Sequence, residues 1–175
     1  ELNLSCPHVT SEFGKKPLAM GKESSAKVVK AVKKIVKKIP IIAKLTPNVA
    51  DISEVAKACE QAGADGICAI NTLGPGMVIN VKTKKPVLGN KRGGVSGSAI
   101  KPIAIRCVYD IYEAVKIPII GMGGIGSVED AIEMLMAGAG LVGIGSATYL
   151  SGMKVFTEIN SGMTKYLKDN NYKTI

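Results

Sequence analysis

The pentapeptide K-I-P-I-I occurs twice, at residues 38–42 and 116–120. Each copy leads into an apolar run, a loop and a segment of helical periodicity. Each then reaches the tripeptide A-G-A, at 62–64 and 137–139, and a second apolar run. The first copy predicts a strand at 41–46, a helix at 51–61 and a strand at 66–71. The second predicts a strand at 119–123, a helix at 127–137 and a strand at 141–146. Each copy is therefore a β-α-β unit. Pro40 and Pro118 mark the end of the preceding helix, because the residue before proline avoids the helical region. Asp51 and Ser127 fit as N-caps, with Asp130 three residues after Ser127 close to a capping box. Gly63 and Gly138 stand where a left-handed C-cap is wanted.

Working outward, further strand character covers 1–5 and further helices are expected at about 24–37, 101–115 and 152–168. Nearly continuous apolar strands fit a parallel sheet covered on both faces. Alternating strands and helices with a duplicated unit predict an α/β fold, a (β/α)8 TIM barrel or failing that an open doubly wound sheet. A barrel needs roughly 250 residues. The 175 residues here, opening in mid-strand at E-L-N-L-S, are expected to be its C-terminal portion, five of eight strands in one partial domain (1–175), with about three βα units upstream.

The composition is that of a packed globule, 46% hydrophobic and 21% charged. It offers neither a membrane span nor a signal peptide, so the cytoplasm is the expected compartment. Cys6, Cys59, Cys68 and Cys107 form no C-x-x-C pair, which argues against a metal or iron–sulfur site on this chain. Much of the net charge of +9 sits at 27–38. There Val28, Val29, Val32, Ile35 and Val36 recur at helical spacing, with Lys30, Lys33, Lys34, Lys37 and Lys38 largely between them. This reads as an amphipathic helix with a solvated lysine face. A nucleic-acid patch is the sharper alternative, disfavoured by the lack of interleaved aromatics and arginines.

Barrel chemistry lies where the strands end. Those positions carry Asn3, Ser5, Cys6 and His8; Lys44, Thr46 and Asn48; Asn71 and Thr72; G-M-G-G-I-G at 121–126; and G-I-G-S-A at 143–147. Two glycine-rich turns before helical segments suit a phosphate cradle from Gly123, Gly124, Gly145 and Ser146, although tight turns need no ligand. Lys44 sits inside an apolar strand, a costly place unless its ammonium meets an anion or an electron-rich ring. Asn71 and Thr72 can hydrogen-bond a planar polar ligand or simply cap a turn. Cys6 is a base only if its thiol is acidified.

N-L-S-C-P, A-K-L-T-P-N, A-I-N-T, R-G-G-V-S-G-S-A-I-K-P, I-I-G-M-G-G-I and G-I-G-S-A occur in this order over residues 1–150. Together they resemble the dihydroorotate dehydrogenases, class 1, and within it the NAD-linked class 1B catalytic subunit. The resemblance implies an FMN-binding barrel that oxidises dihydroorotate to orotate in pyrimidine biosynthesis. It implies that Cys6 takes the C5 proton while hydride passes from C6 to flavin N5. It implies substrate contacts from Asn3, Asn71, Thr72 and the position of His8, and a flavin contact from Lys44. It further implies backbone contacts to FMN from Gly97, Gly123, Gly124, Gly145 and Ser146. His8 departs from the asparagine usual after S-C-P, and it titrates near neutral pH. Implied partners are a second catalytic subunit and an electron-transfer subunit carrying FAD and a 2Fe–2S cluster, with no nucleic acid and no membrane. The alternatives are a tRNA-dihydrouridine synthase-like flavoenzyme, a flavin-free phosphate-binding barrel, or a non-catalytic remnant.

Overall fold

The computed structural model describes residues 1–4 and 21–174. It contains a five-stranded parallel sheet in the order β1-β2-β3-β8-β9. These strands are β1 (Leu2–Asn3), β2 (Ile42–Leu45), β3 (Gly66–Ala69), β8 (Ile119–Met122) and β9 (Leu141–Gly143). Helices α1 (Lys22–Ile35), α2 (Ile52–Gln61), α3 (Lys101–Ala114), α4 (Val128–Met136), α5 (Ser146–Ser151) and α6 (Lys154–Asp169) follow or connect them. Both halves of the repeat are therefore β-α-β units with parallel strands. The sheet and its helices establish the mixed α/β class; five parallel strands are consistent with part of a barrel.

The caps form as the sequence predicts. The Asp51 side chain accepts from the N–H groups of Ser53 and Glu54, and Ser127 with Asp130 completes a capping box. Two carboxylates then anchor the two copies of K-I-P-I-I. Asp65 Oδ2 accepts from Ile41 N–H at 2.7 Å and from Lys33 Nζ at 2.5 Å. Glu60 Oε1 accepts from the N–H groups of Lys116 and Ile117 at 2.8 and 3.1 Å. Each repeat thus enters its strand tethered to the α2 end of the first unit.

The side-chain period of two sorts the strands. Ala43, Leu45, Ile67, Ala69 and Ile119 are buried in one core with Val55, Ala56, Cys59, Ala104, Cys107, Val108, Ile111 and Met134 of the helices. Residues of the opposite parity face the other way. The register places Asn3, Lys44, Cys68, Ile120 and Leu141 side by side on that second face. Leu141 is 66% exposed there.

Several elements differ from expectation. The strands are shorter than their apolar runs, and β1 is described only at Leu2–Asn3. Helices α1 and α3 stop four or more residues before Pro40 and Pro118, so the prolines open the strands and the last helical turns are lost earlier. Ile35, in the last turn of α1, is 84% exposed, and Val29 is the buried apolar residue of that helix. The helix expected at 152–168 forms as α6, and a short helix not expected from sequence, α5, precedes it; Gly152, at φ 71°, caps α5 and separates the two. The segment between β3 and α3, assigned no structure from sequence, builds two small antiparallel ladders. They are β4 (Leu73–Gly76) with β7 (Gly93–Val95), and β5 (Ile79–Asn80) with β6 (Lys85–Pro86).

Candidate active site

In a parallel sheet every strand ends at the same edge, and that edge gathers the polar residues singled out above. Cys6 and His8 lie outside the described residues. Asn3 ends β1, exposed, and its Oδ1 accepts from Asn71 Nδ2 at 3.2 Å. Asn71 follows β3; its N–H donates to Leu45 O at 2.8 Å, and its Oδ1 accepts from Thr72 N–H at 2.7 Å. The two asparagine side chains thereby join the end of β1 to that of β3, and the Asn71 backbone N–H ties in the end of β2.

Lys44 lies one strand from Asn3 in register and is 8% exposed. Its Nζ meets the Met122 thioether at 3.2 Å and the half-exposed Glu1 carboxylate at 3.7 Å. A thioether is a weak acceptor, and 3.7 Å is long for an ion pair. A buried ammonium this poorly matched suits an anionic or electron-rich ring on the same face.

The glycine turns converge as well. Gly97 precedes the 3₁₀ turn Ser98–Ile100 that opens α3, and a Cβ on it would lie 3.7 Å from Ser146 Oγ. Gly124, at φ 77°, presses on the start of α3: a Cβ there would stand 2.9 Å from Lys101 N. Gly123 packs equally tightly against Ala104. These two glycines are therefore demanded by the approach of the β8–α4 turn to α3, whatever binds there. Gly145 is different, since a side chain on it would meet nothing within 4 Å. None of the N–H groups of Gly123, Gly124 and Gly145 donates to an acceptor among the described residues. The chemistry of the donor set, three backbone N–H groups on two turns with no acceptor among the described residues, fits a phosphate.

Lys101 locks this corner. Its Nζ lies 2.7 Å from Asp130 Oδ1 and 2.8 Å from Glu133 Oε2. Asp130 Oδ2 accepts from Gly126 and Ser127 N–H, both at 3.0 Å. The two carboxylates raise the Lys101 pKa. Burial pushes Asp130 up, but hydrogen bonds from Lys101, Gly126 and Ser127 outweigh it and hold the carboxyl below its ordinary range.

Three cysteines are described, and none is a base. Burial raises Cys68 to about 12, Cys59 to about 11, and Cys107 upward as well, so all three remain protonated thiols. Among the described residues no group of three or more His, Cys, Asp and Glu side chains is placed to hold a metal. No described helix is long and apolar enough to cross a membrane. Of the lysines at 27–38, Lys33 forms an ion pair within the protein, with Asp65.

Sequence reasoning missed four contributors. Asn48 was noted at the rim without a role. Gly94 gives up the space its side chain would fill, a Cβ there falling 2.0 Å from Thr72 Oγ1. Met122 and the Lys101–Asp130 link were not singled out. Only Asn48, in T-P-N at a strand end, carried a local signal of turn chemistry.

A five-stranded parallel sheet with a buried lysine and glycine turns gathered at its C-terminal edge defines the class: a mixed α/β protein of parallel-sheet type. The sequence model of the family "Dihydroorotate dehydrogenase" matches residues 1–167. The chain is 51% identical to the "Dihydroorotate dehydrogenase B (NAD(+)), catalytic subunit" of Pyrococcus abyssi over 178 residues, covering all of this chain and 57% of that relative. It is 46% identical to the protein of the same name from Methanothermobacter thermautotrophicus and 49% to that of Brachyspira hyodysenteriae, covering 100% of this chain and 57% and 56% of those relatives. The chain belongs to the dihydroorotate dehydrogenase family. It spans a little over half the length of the curated relatives it matches.

Proposed function

We propose that this chain forms the C-terminal part of an FMN-binding (β/α)8 barrel that oxidises dihydroorotate to orotate. The observation that carries the reading is the poorly matched Lys44 ammonium, buried on the same sheet edge as Asn3 and Asn71. Family membership supports the reaction; the geometry supports the assignment of roles.

FMN, when bound, supplies the acceptor for the hydride leaving the substrate. The N–H groups of Gly123, Gly124 and Gly145, with Gly97 and Ser146 beside them, hold its phosphate. Lys44 places a fixed positive charge in a site of low dielectric, where charge accumulating on a neighbouring ring is stabilised far more than in water. Asn3, Asn71 and Thr72 orient the pyrimidine and its carboxylate through side-chain donors, and the position of His8 adds a contact. Cys6 removes the C5 proton. That role for Cys6 rests on the family resemblance, and burial of the other three thiols accords with it.

The relatives' printed name, a catalytic subunit of an NAD(+)-linked enzyme, supports a separate subunit that passes electrons to NAD. We assign FAD and a 2Fe–2S cluster to that partner and infer pairing of two catalytic subunits. A cytoplasmic location accords with this reading.

The test is anaerobic mixing of dihydroorotate with the full-length, FMN-loaded protein while the flavin absorption band is followed. Rapid bleaching is expected. Cys6→Ser is expected to slow it by about 10²–10⁴-fold with FMN content unchanged. Bleaching by dihydrouridine in tRNA but not by dihydroorotate would overturn the substrate, and an unaltered rate in Cys6→Ser would overturn the base.

A further inference from the structure

The turn bearing Asn71 and Thr72 is not held by its own strand alone. The side chain of Asn48, in the turn after β2, reaches across to it. Asn48 Nδ2 donates to Thr72 O at 3.1 Å, and Asn48 Oδ1 accepts from Gly74 N–H at 2.9 Å. The two bonds flank Leu73, so the amide reads the 72–74 backbone as a neighbouring strand would. The same amide is itself oriented. Nδ2 also donates to Thr46 Oγ1 at 2.9 Å, and Asn48 N–H donates to that hydroxyl at 3.2 Å. Thr46 is buried at 6% exposure. Asn48 is thus fixed at its base by a buried hydroxyl and uses both ends of its amide on the next turn. Gly94 closes the other side, because its missing side chain leaves room for the Thr72 hydroxyl.

We propose that Asn48 is a positioning residue for the ligand mouth: by clamping Thr72 O and Gly74 N–H it sets the placement of the Asn71–Thr72 pair, and so the affinity for the planar substrate. The proposal rests on the assignment of Asn71 and Thr72 to substrate binding. An amide is required, since the clamp needs one donor for Thr72 O and one acceptor for Gly74 N–H. Alanine supplies neither, and aspartate keeps the acceptor for Gly74 N–H but sets an anion against Thr72 O.

The experiment uses the full-length, FMN-loaded protein and orotate as the probe. Orotate binding is followed by its perturbation of the flavin spectrum, FMN affinity by fluorescence, and amide exchange over 70–76 by mass spectrometry. Asn48→Ala and the isosteric Asn48→Asp are both expected to weaken orotate at least about tenfold, corresponding to about 1.4 kcal/mol. Exchange at 72–76 is expected to rise, FMN affinity to stay within twofold, and the kinetic loss to fall on KM for dihydroorotate more than on kcat. If exchange rises while orotate affinity is unchanged in Asn48→Asp, the turn is tethered by Asn48 but the tether does not position ligand, and the proposal fails. Unchanged exchange in both variants also overturns it. A parent protein that retains FMN but binds no orotate overturns the substrate assignment itself, and the proposal with it, which the parent titration alone reveals.

Discussion

Lys44 combines two demands that pull apart. Its ammonium is buried against a thioether and a distant carboxylate, an arrangement that costs the unliganded protein stability. The same charge is what an electron-accepting ring on that face needs. Lys44→Met keeps most of the stem and removes the charge. It is expected to raise the melting temperature of the FMN-free protein while weakening FMN by roughly 10–100-fold, the size of a lost charged hydrogen bond. Calorimetry without FMN and titration with it give the two signs separately. A fall in both would place Lys44 in the structure rather than the site.

Among the connecting elements, the link from Lys101 to Asp130 matters most, because it fastens the β8–α4 turn to the start of α3. Its pH window follows from both partners. The Asp130 pKa is lowered in the fold, so its contribution is complete above the unfolded carboxylate value of about 4 and fades as pH drops through the lowered one. The Lys101 pKa is raised, so its contribution is complete below about 10 and fades as pH climbs through the raised one. Asp130→Asn is expected to cost about 1.5–3 kcal/mol at neutral pH. The deficit relative to the parent, followed by denaturant melts, is expected to shrink toward pH 3. A deficit independent of pH would show that the charge contributes nothing.

The repeat, its caps and the identity of the rim were legible because local chemistry writes them: proline before a strand, Asp51 and Ser127 before helices, glycine after. The arm over 73–95 was not, since G-P-G, lysines and scattered valines carry no clear period, and its short ladders depend on pairing across many intervening residues. The short helix α5 was hidden for a related reason, as six residues are too few to display a helical period. Asn48 was visible as a turn residue, yet its partners at 72 and 74 lie on another strand's loop, and only the folded register brings them within reach.

At the scale of the molecule, the sheet presents two faces of different character. One is sealed by helices; on the other the in-register row from Asn3 to Leu141 leads to the polar edge. In the barrel reading the remaining length of a full family member closes over that second face, and the polar edge becomes the mouth. The most direct test is a structure of the full-length protein with FMN and orotate bound. The account predicts the FMN phosphate against the N–H groups of Gly123, Gly124 and Gly145, the flavin ring against Lys44, and orotate against Asn3 and Asn71. FMN seated at the opposite ends of the strands, or orotate held by neither asparagine, would contradict it.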